Sequence, residues 1–140
     1  MGETMRREVL LVGGGRVGRH TAKNLPSERY RVTIVERDSE KCDSLTADDA
    51  SEVIEGDATE KEVLDRAEPA EADIVAALTN DTATNKMVCE MLHERNPEAK
   101  KIVRISTDGE EELSHLRFID NIVYPAAAGA VETAEYISAE

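Results

Sequence analysis

Gly13-Gly14-Gly15-Arg16-Val17-Gly18 satisfies the pattern GxGxxG through Gly13, Gly15 and Gly18, directly after the apolar run of residues 8–12. Between a strand and a helix each glycine has a task. The first permits a tight turn, the second lets a diphosphate approach the backbone, and the third lets the helix lie close to the sheet. Phosphates would rest on the amides of the helix start, where the helix dipole favours negative charge. Glu36 follows eighteen residues past Gly18, at the carboxyl end of the next β-branched run. A carboxylate there accepts hydrogen bonds from both ribose hydroxyls and repels a 2′-phosphate, which favours NAD(H) or an adenine nucleotide over NADP(H). Arg37 works the other way, because a guanidinium beside that acid can receive a 2′-phosphate. Arg16 and Val17 sit inside the loop, and Arg16 either contacts phosphate oxygens bidentately or points to water.

The remaining reactive residues form no recognisable constellation. Short-chain dehydrogenases place Lys four residues after a catalytic Tyr, whereas Ile34, Ala128 and Glu140 follow Tyr30, Tyr124 and Tyr136 at that offset. His20, His93 and His115 fall on three separate expected helices without metal-ligand spacing. Cys42 and Cys89 show no CxxC pairing and read as free buried thiols of a reducing compartment. Glu110-Glu111-Glu112 reads as a solvated helix start, with a cation site between subunits as the alternative. Met87 and Met91, at helical spacing, read as core. Three functional readings remain: a nucleotide-binding domain, a small NAD-dependent oxidoreductase whose substrate site needs a second chain, and an interaction module whose glycines merely turn the chain.

The elements that must position these residues alternate regularly. Apolar strand-like runs occur at residues 8–12, 30–35, 51–54, 73–78, 102–105 and 121–124. Helical patterns separate them. The first carries Val17, Thr21, Ala22 and Leu25 on one face before Pro26. The second is capped by Asp38 or Ser39 and expected to reach Asp48. A third, brief one is expected to be capped by Thr59 with Glu62 three residues on, and to end at Pro69. A longer helix runs to about Arg95 with Ala83, Met87, Val88, Met91 and Leu92 as its apolar side, and another spans residues 110–116. An Ala-rich helix at about residues 126–137 closes the chain. This alternation predicts a Rossmann-like, doubly wound α/β fold with a mainly parallel six-stranded sheet and helices on both faces. One domain is expected over residues 1–140, its core at about 7–125.

Composition narrows the partners. The 140 residues carry 17 Lys+Arg against 30 Asp+Glu, a formal charge of −13 that repels phosphate backbones and excludes nucleic acid as a ready partner. Tyr, Phe and Trp make up 3% of the chain, so base-stacking platforms are scarce. The acids are spread along the sequence between apolar runs, the pattern of a folded protein with an acidic, halophile-like coat. No run approaches the roughly 20 apolar residues of a spanning helix. Arg6-Arg7 precedes an apolar run too short for an export signal.

Residues 9–125 resemble the TrkA-N domain, also called RCK or KTN, of proteins that regulate potassium channels and transporters. The resemblance rests on GGGRVG in the first turn, VTIVERD on the second strand, GDAT at residues 56–59, EADIVAALTND at residues 71–81 and the IVRI strand. It implies a cytoplasmic domain, peripheral to the membrane through its partner, that binds NAD(H) or ATP/ADP and signals to a membrane-embedded potassium-translocating subunit. By position, Gly13, Gly15, Arg16, Val17 and Gly18 match the phosphate loop, and Glu36 the ribose carboxylate. Asp57, with Ala58 beside it, matches the adenine surroundings, Thr79 and Asn80 the crevice after the fourth strand, and Arg104 a strand arginine near the nucleotide. The resemblance further implies a homodimer or larger ring, with the final helix packed on a neighbour. It also leaves this sequence without the smaller carboxyl-terminal ligand-binding domain that commonly follows, so the chain is either a single-domain member or a fragment.

Overall fold

The computed structural model describes residues 5–106 and 117–139. Six strands form one sheet: β1 (Arg7–Val12), β2 (Tyr30–Glu36), β3 (Glu52–Glu55), β4 (Ile74–Ala77), β5 (Lys100–Arg104) and β6 (Asn121–Val123). Their order is β3-β2-β1-β4-β5-β6 and every pairing is parallel. The helices are α1 (Arg16–Lys23), α2 (Ser39–Ser44), α3 (Lys61–Arg66), α4 (Thr82–Arg95) and α5 (Pro125–Ser138), with a 3₁₀ turn at Pro69–Glu71.

Alternation along each strand divides the core in two, since successive side chains point to opposite faces. Leu10 and Val12 of β1 join Val63 and Leu64 of α3 and Val88 and Leu92 of α4. Val9 and Leu11 join Ala22 of α1 and Leu45, just past α2. Central strands covered on both faces read as unbroken apolar runs. The strand order reverses beside β1, whose partners are β2 on one side and β4 on the other. In such a sheet the crevice outside the carboxyl ends at that reversal is where ligands bind.

Three expectations need correction. α2 ends at Ser44 rather than Asp48. Leu45 turns extended to enter the core, and the Asp49 carboxylate accepts the Thr46 N–H at 2.9 Å, holding a turn in place of further helix. Thr59 does not cap α3, where Glu60 holds the capping position. The Thr59 amide and hydroxyl instead donate to Asp57 Oδ1, at 2.9 and 2.7 Å. On α4 the buried residues are Asn85, Val88, Cys89 and Leu92, while Met87 is 52% exposed. The expected helix at residues 110–116, with the Glu110–Glu112 run and His115, lies outside the described residues.

α5 stands apart. None of its residues is buried, and Val131, Tyr136 and Ile137 are exposed. Among the described residues no helix is long and apolar enough to cross a membrane.

Candidate functional site

The turn after β1 is shaped by backbone crowding. Gly13 has φ +110°, and a β-carbon on it would sit 2.9 Å from the Thr79 nitrogen at the end of β4. A β-carbon on Gly18 would lie 1.9 Å from the Gly13 carbonyl oxygen, so only glycine lets α1 start this close to the loop. Gly15 differs: among the described residues, the Lys41 Nζ, 3.8 Å away, is the one non-neighbouring atom its β-carbon would meet. The second glycine therefore borders open space, as an approaching diphosphate requires. Gly15 is also the N-cap of α1; among the described residues no side chain caps the helix, and no acid occupies its first turn. The first amides of such a helix have no intrahelical acceptor.

Glu36 ends β2 with its side chain turned toward this loop. Its Oε1 accepts the Gly14 N–H at 2.6 Å and its Oε2 the Asp38 N–H at 2.8 Å, and the residue is 8% exposed. Charge-assisted bonds of this kind fix a carboxylate firmly. Arg37, next in sequence, is exposed.

Asp57 stands after β3, linked to the same edge by the Gly56 N–H, which donates to the Glu36 carbonyl at 3.0 Å. The Thr59 hydroxyl and amide hold the Asp57 carboxyl below its usual range, with Arg37 adding to the effect against the cost of burial. Ala58 is 5% exposed and belongs to the core. Thr79 and the exposed Asn80 follow β4. Arg104, ending β5, points one guanidinium nitrogen at the Leu78 carbonyl, 3.5 Å away, and its buried Nε has no hydrogen-bond partner among the described residues. Asp57, Glu36, the glycine loop, Thr79 and Arg104 thus line the carboxyl ends of five adjacent strands.

Sequence reasoning missed Asn85. It is 1% exposed, and its side chain joins three elements. Oδ1 accepts the Thr79 N–H at 3.0 Å and lies 2.6 Å from Thr79 Oγ1. Nδ2 donates to the Thr79 and Arg104 carbonyls, each at 2.9 Å. The available signal was one polar residue in register with Val88 and Leu92 on a helix face. Lys41 was missed too, because nothing in sequence shows that α2 reaches the loop.

Cys89 is buried, which pushes its thiol up to about 11, and Cys42 is half-buried with Sγ 3.2 Å from the Glu36 carbonyl. His93 stacks on Phe118 with ring centroids 4.3 Å apart, and His20 is exposed. A hollow of about 130 Å³ lies at the amino ends of the strands, away from the glycine loop. Its arginines are already engaged, Arg31 by Glu8 and Glu52 and Arg66 by the Glu55 carbonyl.

The TrkA-N domain model matches residues 9–125. The chain belongs to the TrkA-N family. It is 35% identical over 122 residues to the Trk system potassium uptake protein TrkA homolog of Pyrococcus abyssi (strain GE5 / Orsay), covering 84% of this chain and 54% of the relative. The chain therefore spans about half the length of that relative. The TrkA-N domain of the inner membrane protein ybaL from Escherichia coli superposes with a TM-score of 0.81 at 20% identity, covering 96% of this chain and 98% of the other. The GsuK channel bound to NAD gives 0.75 at 23% identity, covering 94% of this chain and 23% of the channel. Both share the fold of this TrkA-N domain.

Proposed function

We propose that this TrkA-N domain binds NAD(H) or an adenine nucleotide and regulates a membrane potassium transporter or channel without itself catalysing a reaction. The observation that carries the reading is Glu36 turned onto the loop, bonded to Gly14, beside a Gly15 that borders open space. The residues fit the ligand chemically. The loop amides and Arg16 suit a diphosphate and Glu36 the ribose hydroxyls, while Asp57 and the Ala58 main chain flank the adenine side. Thr79, Asn80 and Arg104 face the other half of the ligand across the sheet reversal. The structural neighbours and relatives, a channel bound to NAD and potassium uptake proteins, support the same assignment.

A bound nucleotide acts by preferring one arrangement of the assembly, which shifts the population a tethered pore feels. Equal affinity for both arrangements would shift nothing. Residues 7–125 form the nucleotide-binding unit, and α5 supplies an assembly surface. Ala127, Ala130, Val131, Ala134 and Ile137 make an apolar stripe on a helix that buries none of its residues in its own chain. The protein is then a homodimer or larger homo-oligomer, cytoplasmic and peripheral to the membrane through its transport partner, with an acidic surface suited to a salty interior.

Calorimetry with NADH, NAD, ATP and ADP tests the reading, together with mass spectrometry of any co-purified ligand. Saturable binding of at least one is expected, and no heat with any of the four overturns it.

A further inference from the structure

Lys41, the third residue of α2, is exposed, and its ammonium reaches back over the glycine loop. Its Nζ lies 3.8 Å from the point a β-carbon on Gly15 would occupy, where no other non-neighbouring atom comes within 4 Å among the described residues. The main chain of Lys41 is fixed: its N–H donates to Asp38 Oδ1 at 3.2 Å and its carbonyl accepts from Ser44 Oγ at 2.8 Å. Its ammonium has no hydrogen bond or ion pair among the described residues. Two acids of this turn are otherwise engaged, since Glu36 holds the Gly14 and Asp38 amides and Asp38 caps α2. A cation without an ion pair among the described residues thus stands beside the one loop glycine that borders open space, in a chain of net charge −13.

We propose that Lys41 is a ligand-contacting residue whose ammonium closes from the α2 side over the diphosphate of an adenosine 5′-diphosphate moiety. The proposal rests on the nucleotide reading above and deepens it. Because the Asp38 N–H is tied to Glu36 Oε2 and Asp38 in turn caps α2, the ribose acid and the lysine are carried on one short turn. The site therefore reads sugar and phosphate charge together. Ligands with a diphosphate, such as ADP and NAD, gain a contact that a single phosphate does not offer.

Calorimetry of AMP, ADP and NAD with wild type, Lys41→Gln and Lys41→Arg, at low and moderate KCl, tests this. Lys41→Gln should weaken ADP and NAD about five- to tenfold, the scale of one partly exposed charge contact, and AMP less than about twofold. It should also flatten the salt dependence of ADP binding, and Lys41→Arg should retain most of the affinity. Unchanged ADP and NAD affinity, or an equal loss for AMP, overturns the role of Lys41 while leaving nucleotide binding intact. If the wild type binds none of the three, the nucleotide reading itself falls and this inference with it. Thermal melting of each variant should match wild type, since the Lys41 side chain makes no hydrogen bond or ion pair among the described residues.

Discussion

The Gly14 N–H donates to Glu36 Oε1 at 2.6 Å, across 22 residues of sequence. The acid at the end of β2 therefore braces the loop it is proposed to serve. Glu36→Gln keeps the shape but offers only one accepting oxygen for the buried Gly14 amide and the part-buried Asp38 amide, so one of these donors loses its partner. Stability should fall by about 1–3 kcal/mol in urea denaturation. Adenosine ligands should bind at least about fivefold more weakly. Discrimination against NADP relative to NAD should shrink, because the carboxylate no longer repels a 2′-phosphate. Unchanged affinity and unchanged discrimination would mean the ribose sits elsewhere.

The glycines separate folding from binding. Gly18→Ala would drive a β-carbon to 1.9 Å from the Gly13 carbonyl oxygen, and backbone cannot yield as a flexible side chain would. A loss of about 3 kcal/mol, the upper part of the overpacking range, is expected by chemical denaturation. Among the described residues Gly15→Ala meets only the Lys41 ammonium, at 3.8 Å. It should cost under about 1 kcal/mol as an N-cap change yet reduce diphosphate affinity about tenfold, because the methyl group projects into the ligand's space. Gly15→Ala binding as tightly as wild type would place the phosphates away from this loop.

The legible parts of the fold are those where one residue type answers to one cause. Ile34 and Val35 face opposite layers yet both are buried, so β2 had to read as an unbroken apolar run. The glycine loop and Glu36 were legible because strand, turn and acid recur at fixed spacing. The end of α2 was not, since it depends on Asp49 turning to meet the Thr46 amide, a contact with no local signature. The orientation of α4 was hidden for a related reason. Apolar spacing favoured Met87, while Asn85 has its partners on β4 and β5 and marks a different face as the inner one.

Asn85 therefore offers a third test. Asn85→Ala leaves the Thr79 amide and the Arg104 carbonyl without their side-chain partners in a buried setting. A loss of about 2–4 kcal/mol is expected in urea denaturation, reflecting more than one unmet polar group. The ends of β4 and β5 should also loosen, seen as faster amide exchange at Thr79 than at β1. A cost below about 0.5 kcal/mol would show that water takes over these bonds and that Asn85 does not organise the crevice.

Asp49 links stability to acid. It is 3% exposed, its Oδ2 accepts the Thr46 N–H, and Arg19 and Lys23 stand 3.9 and 4.0 Å from its oxygens. The Thr46 amide foremost, then its hydroxyl and the two cations, hold the carboxyl below its usual range against the opposing effect of burial. The unfolded chain, with an ordinary carboxyl near about pH 3.9, takes up this proton first as pH falls. The contribution is therefore complete above that value and is lost as pH falls through the lower folded-state pKa; Asp57 acts in the same direction. Urea stability should stay level with respect to these groups from pH 7 to about 5 and decline below about 4. Asp49→Asn should lose about 1–3 kcal/mol at pH 7 and show a shallower acid slope. Equal losses at pH 7 and pH 3 would mean that shape, not the ionised carboxylate, holds this turn to α1.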